Sequence, residues 1–371
     1  MELINATRMV AGYSMALDPG GREQLVVVIK GTFRLPLPEE PEGHFALADE
    51  QVPLVMADTF TGAPGASAPM HEVDFAPRKP ACDILLLGSA YAPQGRPTTR
   101  TEVGMRVGDW RKAFAVLGPR RWEAGLARVD ASAPGAFVRQ PISYDVAFGG
   151  VDARHKDPAE HAAFMANPVG RGFHRHLRAD WVDGQPLPNT EEIGRGVSEP
   201  RGDYRPMAFG PVGRGWSMRA PFAGTYDDAW LAEHFPFLPP DFDERYYQAA
   251  PPDQQLPLDL FRRGPVPVLL ANLTPQGLTR FTIPHFEAPV HVFPKRGTRE
   301  TCNASLDTVL IEPDARRFTL TWRTARPLAK NMHDIAQVLV GRKGREWWQQ
   351  REQRAFPIPV VMVPMEREAA L

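Results

Sequence analysis

Apolar and polar positions alternate with a period near two through much of the first 150 residues, the signature of strands with one buried face. Met9–Leu17 and Gln24–Leu35 flank Asp18-Pro19-Gly20-Gly21, which predicts a hairpin. Within the second arm, Leu25-Val26-Val27-Val28-Ile29 is too continuous for a half-exposed strand and predicts a central one. Cys82–Tyr91 reads as a further buried strand, Thr101–Val107 and Trp110–Leu117 as a hairpin about Gly108-Asp109, and Val138–Phe148 as a strand closed by Gly149-Gly150. From Val151 to Pro257 the periodicity fades while Gly, Pro, Arg, Trp and Phe accumulate. Phe173, Trp181, Phe209, Trp216, Phe222 and Trp230 make that stretch too apolar for a solvated linker, so it predicts ordered irregular backbone pinned by aromatics.

A short helix is expected over Asp227–His234, capped by Thr225 and stopped by Pro236. Strand patterns return at Val266–Asn272, Gly277–Ile283, Val290–Phe293, Thr308–Glu312 and Phe318–Trp322. Ala329–Gln353 then carries Ile335, Val338, Leu339 and Trp347 as an uneven apolar stripe, which predicts a helix with a break near Gly341 or Gly344. The expected architecture is mainly β (α+β at most): two packed β-sheets with a long ordered irregular insertion and a C-terminal helix. Four stretches follow: an N-terminal β region (1–150), the irregular Pro/Gly/aromatic segment (151–257), a β region completing the same domain (258–325), and a helix with tail (326–371).

Composition sharpens this picture. Proline and glycine supply about a fifth of the 371 residues, well above the usual share, so elements must be short or joined by long defined turns. Charge is balanced at −1, which leaves no global field to draw in nucleic acid or a membrane surface. No apolar run approaches a bilayer span, and Met1-Glu2-Leu3-Ile4-Asn5 lacks the basic start and apolar stretch of a secretory signal, so the expectation is a cytoplasmic protein. Two cysteines, Cys82 and Cys302, form neither a disulfide framework nor a thiolate cluster.

Candidate chemistry is thin. A nucleophile elbow and both glycine-rich phosphate signatures are absent. His174 and His176, two apart, share a face only on extended backbone, and a metal-assisted hydrolase using them is one alternative. A structural or nucleic-acid-binding role is another, weakly served by the short basic run Arg171–Arg178. Pro168-Val169-Gly170-Arg171-Gly172-Phe173 recurs 43 residues later as Pro211-Val212-Gly213-Arg214-Gly215-Trp216. This is either a reused tight turn or a pair of arginines serving docking. The stretch from Gly210 to Leu256 is dense in proline and rings, poor material for acid–base work but suited to a preorganised binding surface, or to gluing an irregular segment onto its own core.

These motifs resemble the domain-of-unknown-function 2169 family of Gram-negative bacteria. The resemblance is carried by Lys30-Gly31-Thr32-Phe33, Tyr144 through Gly150, Asn167 through Phe173, Leu187-Pro188-Asn189-Thr190-Glu191, and Phe209-Gly210-Pro211 with Arg214 and Trp216. Ala223-Gly224-Thr225-Tyr226-Asp227 with Trp230, Pro239 through Phe242, Ala250 through Gln255 and Leu306-Asp307-Thr308 complete it. The resemblance implies a non-catalytic adaptor or chaperone that binds a secreted toxin effector of a type VI secretion system and assists its loading onto the VgrG/PAAR spike. Balanced charge and missing motifs add the expectation of no cofactor, no metal, and neither nucleic acid nor membrane as partner. Under that reading the binding residues are Arg171, Arg214, Trp216, Arg219, Tyr226, Trp230 and Phe242. Truncating Trp216 or Arg214 should then abolish effector binding with little change in melting temperature, whereas a large drop would mark them as internal glue.

Overall fold

The computed structural model describes residues 1–37, 40, 46–125, 128–328 and 331–355. Its architecture is mainly β, as the alternation predicts. The larger sheet runs, in spatial order, Glu2–Asn5, Ile335–Val340, Ala288–Pro294, Glu300–Glu312, Arg317–Pro327, Glu23–Arg34, Val10–Leu17. Its two end strands are consecutive in sequence and approach one another, so the sheet nearly closes on itself. The 13-residue strand Glu300–Glu312 pairs with Ala288–Pro294 near its start and, in parallel, with Cys82–Leu86 near its end. A second sheet has the order Thr190–Glu191, Trp110–Leu117, Arg100–Val107, Val266–Ala271, Leu278–Ile283.

The two sheets share one core. Leu25, Val27, Ile29 and Phe33 of the central strand belong to the same buried cluster as Val103, Met105, Val107, Phe114 and Val116 of the second sheet. Each fully buried branched side chain contributes roughly 1.5–3 kcal/mol of transfer free energy. The continuous apolar run of the central strand has its reason in the opposite face, which is covered as well. Val26, Val28, Lys30 and Thr32 lie beneath the segment 48–79, where the Gln51 side chain bonds the Thr32 backbone and Lys30 pairs with Asp74 at 2.9 Å.

Local differences from the sequence reading have physical causes. Ile335–Val340 is a strand, not part of a helix: it lies between Glu2–Asn5 (parallel) and Ala288–Pro294 (antiparallel), where β-branched side chains are buried on both faces. The backbone turns at Gly341 (φ +88°), and helix forms only over Arg345–Ala355. Positions 329–330 of the expected helix and the tail 356–371 lie outside the described residues. Val138–Phe148 is not one strand: Arg139–Ile142 is followed by a 3-10 turn at Tyr144–Val146 and then by the two-residue strand Phe148–Gly149, parallel to Arg171–Gly172. In that segment Gly149 is indispensable, because a Cβ there would sit 2.0 Å from the Asn167 carbonyl oxygen. The helix at Asp228–Glu233 is capped by Asp227, whose carboxylate accepts the Trp230 amide at 2.9 Å. Thr225 instead bonds Asp241.

Candidate functional site

Most of the polar motif residues turn inward. Asp83, on the buried strand Cys82–Leu86, accepts hydrogen bonds from Lys79 Nζ (2.7 Å), Gln248 Nε2 (2.6 Å) and the backbone amides of Ala249 (2.8 Å) and Ala250 (3.1 Å). Lys79 also donates to Thr308, and Arg323 bridges Asp307 and the Asp74 carbonyl. Three cations and three carboxylates thus balance beneath the covering segments, tying 74–83 and 248–250 to the outer face of the large sheet. Gln254 donates to the Ile84 and Phe209 carbonyls, and Asn167 to those of Tyr144 and Phe148. Side chains spent in this way on backbone groups are stitches, and the irregular backbone needs them because it has no ladder of its own; the Asn167 carboxamide oxygen alone of this set is left without a partner.

Lys112 belongs to this inventory and titrates within reach of experiment. Burial pushes its ammonium down to about 8, with Asp253 opposing, while it donates to Gln254 at 2.6 Å. Its folded pKa lies below the unfolded value, so above about pH 8 the folded chain releases a proton that the unfolded chain keeps. This group therefore adds stability as pH rises from about 8 toward 10, and is pH-neutral below that window. The gain in urea midpoint between about pH 7 and 9.5 should be larger for wild type than for Lys112→Met; equal gains would contradict this assignment.

The repeated turns place their arginines near acids, Arg214 by Asp58 and Glu72 of the covering segment and Arg171 by Asp145. Arg214 pairs with Asp58 at 3.1 Å and Glu72 at 3.8 Å. Arg171 is mostly buried, which lowers its pKa, and is opposed by Asp145, whose carboxylate holds Thr61 and the Ala68 amide. Arg219 is internal: it pairs with Glu72 and donates to the carbonyls of Val212 (2.8 Å) and Tyr246 (2.7 Å). Trp216 is only 6% exposed, edge-on to Tyr144 with ring centroids 5.1 Å apart. Trp216 and Arg219 are therefore packed inside the molecule and do not present themselves to a partner.

Tyr226 and Trp230 are brought together elsewhere, on a promontory spanning 225–242. Tyr226 (55% exposed), Leu231 (59%), Phe235 (62%) and Phe237 (43%) crowd one short helix and the turn after it. Trp230 is half-buried among them, its ring 4.7 Å from that of Tyr226 and 5.6 Å from that of Phe235, and its indole N–H donates to the Phe237 carbonyl at 2.9 Å. The Trp230 ring is thus held in place by its neighbours and by the backbone. Phe242 lies at the base, 5.3 Å from the Tyr247 ring. Phe237 covers Gly21, at the turn that ends the edge strand Val10–Leu17, and that strand exposes Tyr13, Met15 and Leu17 on one face. Leu231, Phe235 and Phe237 are not among the candidates drawn from the sequence; the signal for their exposure is two phenylalanines flanking Pro236 directly after the helix.

The histidines do not converge on a reactive centre. His174 is buried beside Asp152, and burial lowers its pKa; His176 stacks on His155 at 5.2 Å. Among the described residues, no group of three or more His, Cys, Asp or Glu side chains is placed to hold a metal ion. Burial, reinforced by Asp307 and Asp83, pushes the Cys82 thiol up. No described helix is long and apolar enough to cross a membrane.

A model of a bacterial family matches residues 20–323, about four-fifths of the chain; its description reads "Uncharacterized protein conserved in bacteria (DUF2169)". The chain belongs to the DUF2169 family. The match takes in the second sheet, the central strands of the large sheet, the buried ionic network and the promontory of this DUF2169 protein, and leaves out the large-sheet strands Glu2–Asn5, Val10–Leu17 and Ile335–Val340 and the C-terminal helix. No curated protein and no solved structure matches the chain.

Proposed function

We propose that this DUF2169 protein is a non-catalytic adaptor that holds a type VI secretion effector and assists its loading onto the VgrG/PAAR spike. The observation that carries the reading is the promontory, where Tyr226, Leu231, Phe235 and Phe237 stand largely in solvent, two of them packed on a Trp230 ring that a backbone bond anchors, beside the end of an edge strand. A soluble chain tolerates such a patch at a cost, and fixed aromatics surrender little entropy when a partner covers them. Asp227, Asp228, Glu233 and Asp241 surround the patch, which favours an apolar partner segment flanked by basic residues. The effector and spike are the partners that the family resemblance implies. The contact residues are Tyr226, Trp230, Leu231, Phe235 and Phe237.

Affinity capture from a host expressing the secretion system tests this. Tagged wild type should recover a spike protein and an effector, identified by mass spectrometry. Tyr226→Ala with Phe235→Ala should reduce effector recovery at least about tenfold while leaving the melting temperature within about 2 °C. Equal recovery by the double variant, or recovery of neither partner by wild type, would reject the reading.

A further inference from the structure

A second surface differs in sign. An open cleft of about 510 Å³ lies between the strand Ala288–Pro294 and the start of the C-terminal helix, lined by Pro289, His291, Arg299, Arg342, Lys343 and Trp348. The Arg299 guanidinium lies over the Trp348 ring, 4.5 Å from its centroid, and Trp348 packs edge-on against His291 and Trp347. That stacking holds the guanidinium without using its N–H donors. Among the described residues, neither Arg299 nor Lys343 has a carboxylate within ion-pair distance; Arg342 pairs with exposed Glu287. The buried cations Lys30, Lys79 and Arg323, by contrast, are each matched by a carboxylate in the network around Asp83.

We propose that this cleft binds a carboxylate-rich segment of a partner polypeptide. The inference rests on the adaptor reading and gives it a second, oppositely charged contact. A planar guanidinium with free donors pairs bidentately with carboxylate, and Lys343 supplies a second charge at the same cleft. The borders of the cleft favour a short acidic turn over a nucleic acid. Glu287, Glu300 and Glu346 are exposed beside Arg342, Arg299 and Arg345, so a continuous phosphate backbone would cross them, whereas one or two side-chain carboxylates fit between.

Fluorescence anisotropy of a labelled six-glutamate peptide, titrated with the full purified chain, tests the cleft directly. Saturable binding is expected, weakening about tenfold from roughly 50 to roughly 300 mM NaCl. Arg299→Glu with Lys343→Glu should weaken it at least a further tenfold or so with an unchanged melting temperature. No peptide binding by wild type, affinity unmoved by the double variant, or tighter binding of a labelled single-stranded oligothymidine would each overturn the proposal. Because host capture reads the promontory and the peptide titration reads the cleft, the adaptor reading and this inference can fail separately.

Discussion

Asp83→Ala is expected to destabilise the protein by about 3–5 kcal/mol, the loss seen when one member of a buried ion pair is removed. The carboxylate is fully buried and serves four donors at once: one ammonium, one carboxamide and two backbone amides. Deleting it strands Lys79, itself nearly buried, and leaves the Ala249 and Ala250 amides without partners, each carrying its own desolvation cost. The consequence is also topological, since Asp83 fastens the irregular segment around 248–250 to the large sheet. Urea unfolding should therefore show a lower midpoint and an earlier release of that segment in amide exchange. Combining Asp83→Ala with Lys79→Met should recover part of the loss, because the stranded charge is then gone. A loss below about 1 kcal/mol for the single variant would mean that water replaces the carboxylate and that the network is not a tether.

How much of this was legible in the sequence follows from what each residue's role depends on. Strands whose neighbours are strands were legible: Trp110–Leu117 against Arg100–Val107 follows from local alternation and a two-residue turn. Ile335–Val340 was not, because its burial is imposed by Glu2–Asn5, more than 300 residues away, and its apolar spacing fits a helix about as well. The same distinction governs the site. Exposure of an aromatic is a property of what fails to cover it, so a string of letters ranks Trp216 and Tyr226 alike. In the folded chain one packs against Tyr144 in the core and the other stands 55% exposed. The roles of the buried polar residues are equally hidden in the sequence. Asn167, Asp83 and Gln254 resemble functional residues in being polar amid apolar neighbours, yet their partners are carbonyls and amides of the chain itself. Irregular backbone without sheet ladders has to find its hydrogen bonds among side chains, and a Pro/Gly-rich segment needs many of them.

Trp216→Ala separates support from contact, and its expected result reverses the one drawn from sequence. The indole is 6% exposed, belongs to the main core and stands edge-on to Tyr144, while Gly213 of the repeated turn leaves just enough room for it: a Cβ there would meet the indole nitrogen at 2.4 Å. Truncation removes that volume from a site closed by a tight turn and by the Arg219 network, so little collapse is available, and the cost should be about 3–5 kcal/mol. The melting temperature should fall by several degrees or more, and any loss of partner would accompany loss of fold. Phe235→Ala is the counterpart: with 62% of that residue already in solvent, its removal should leave unfolding within about 0.5 kcal/mol of wild type and act on capture alone. Measured together by thermal unfolding and effector capture, the two variants should fall on opposite axes. If Trp216→Ala kept its melting temperature while losing the effector, the turn at 211–216 would be the contact and the promontory a bystander.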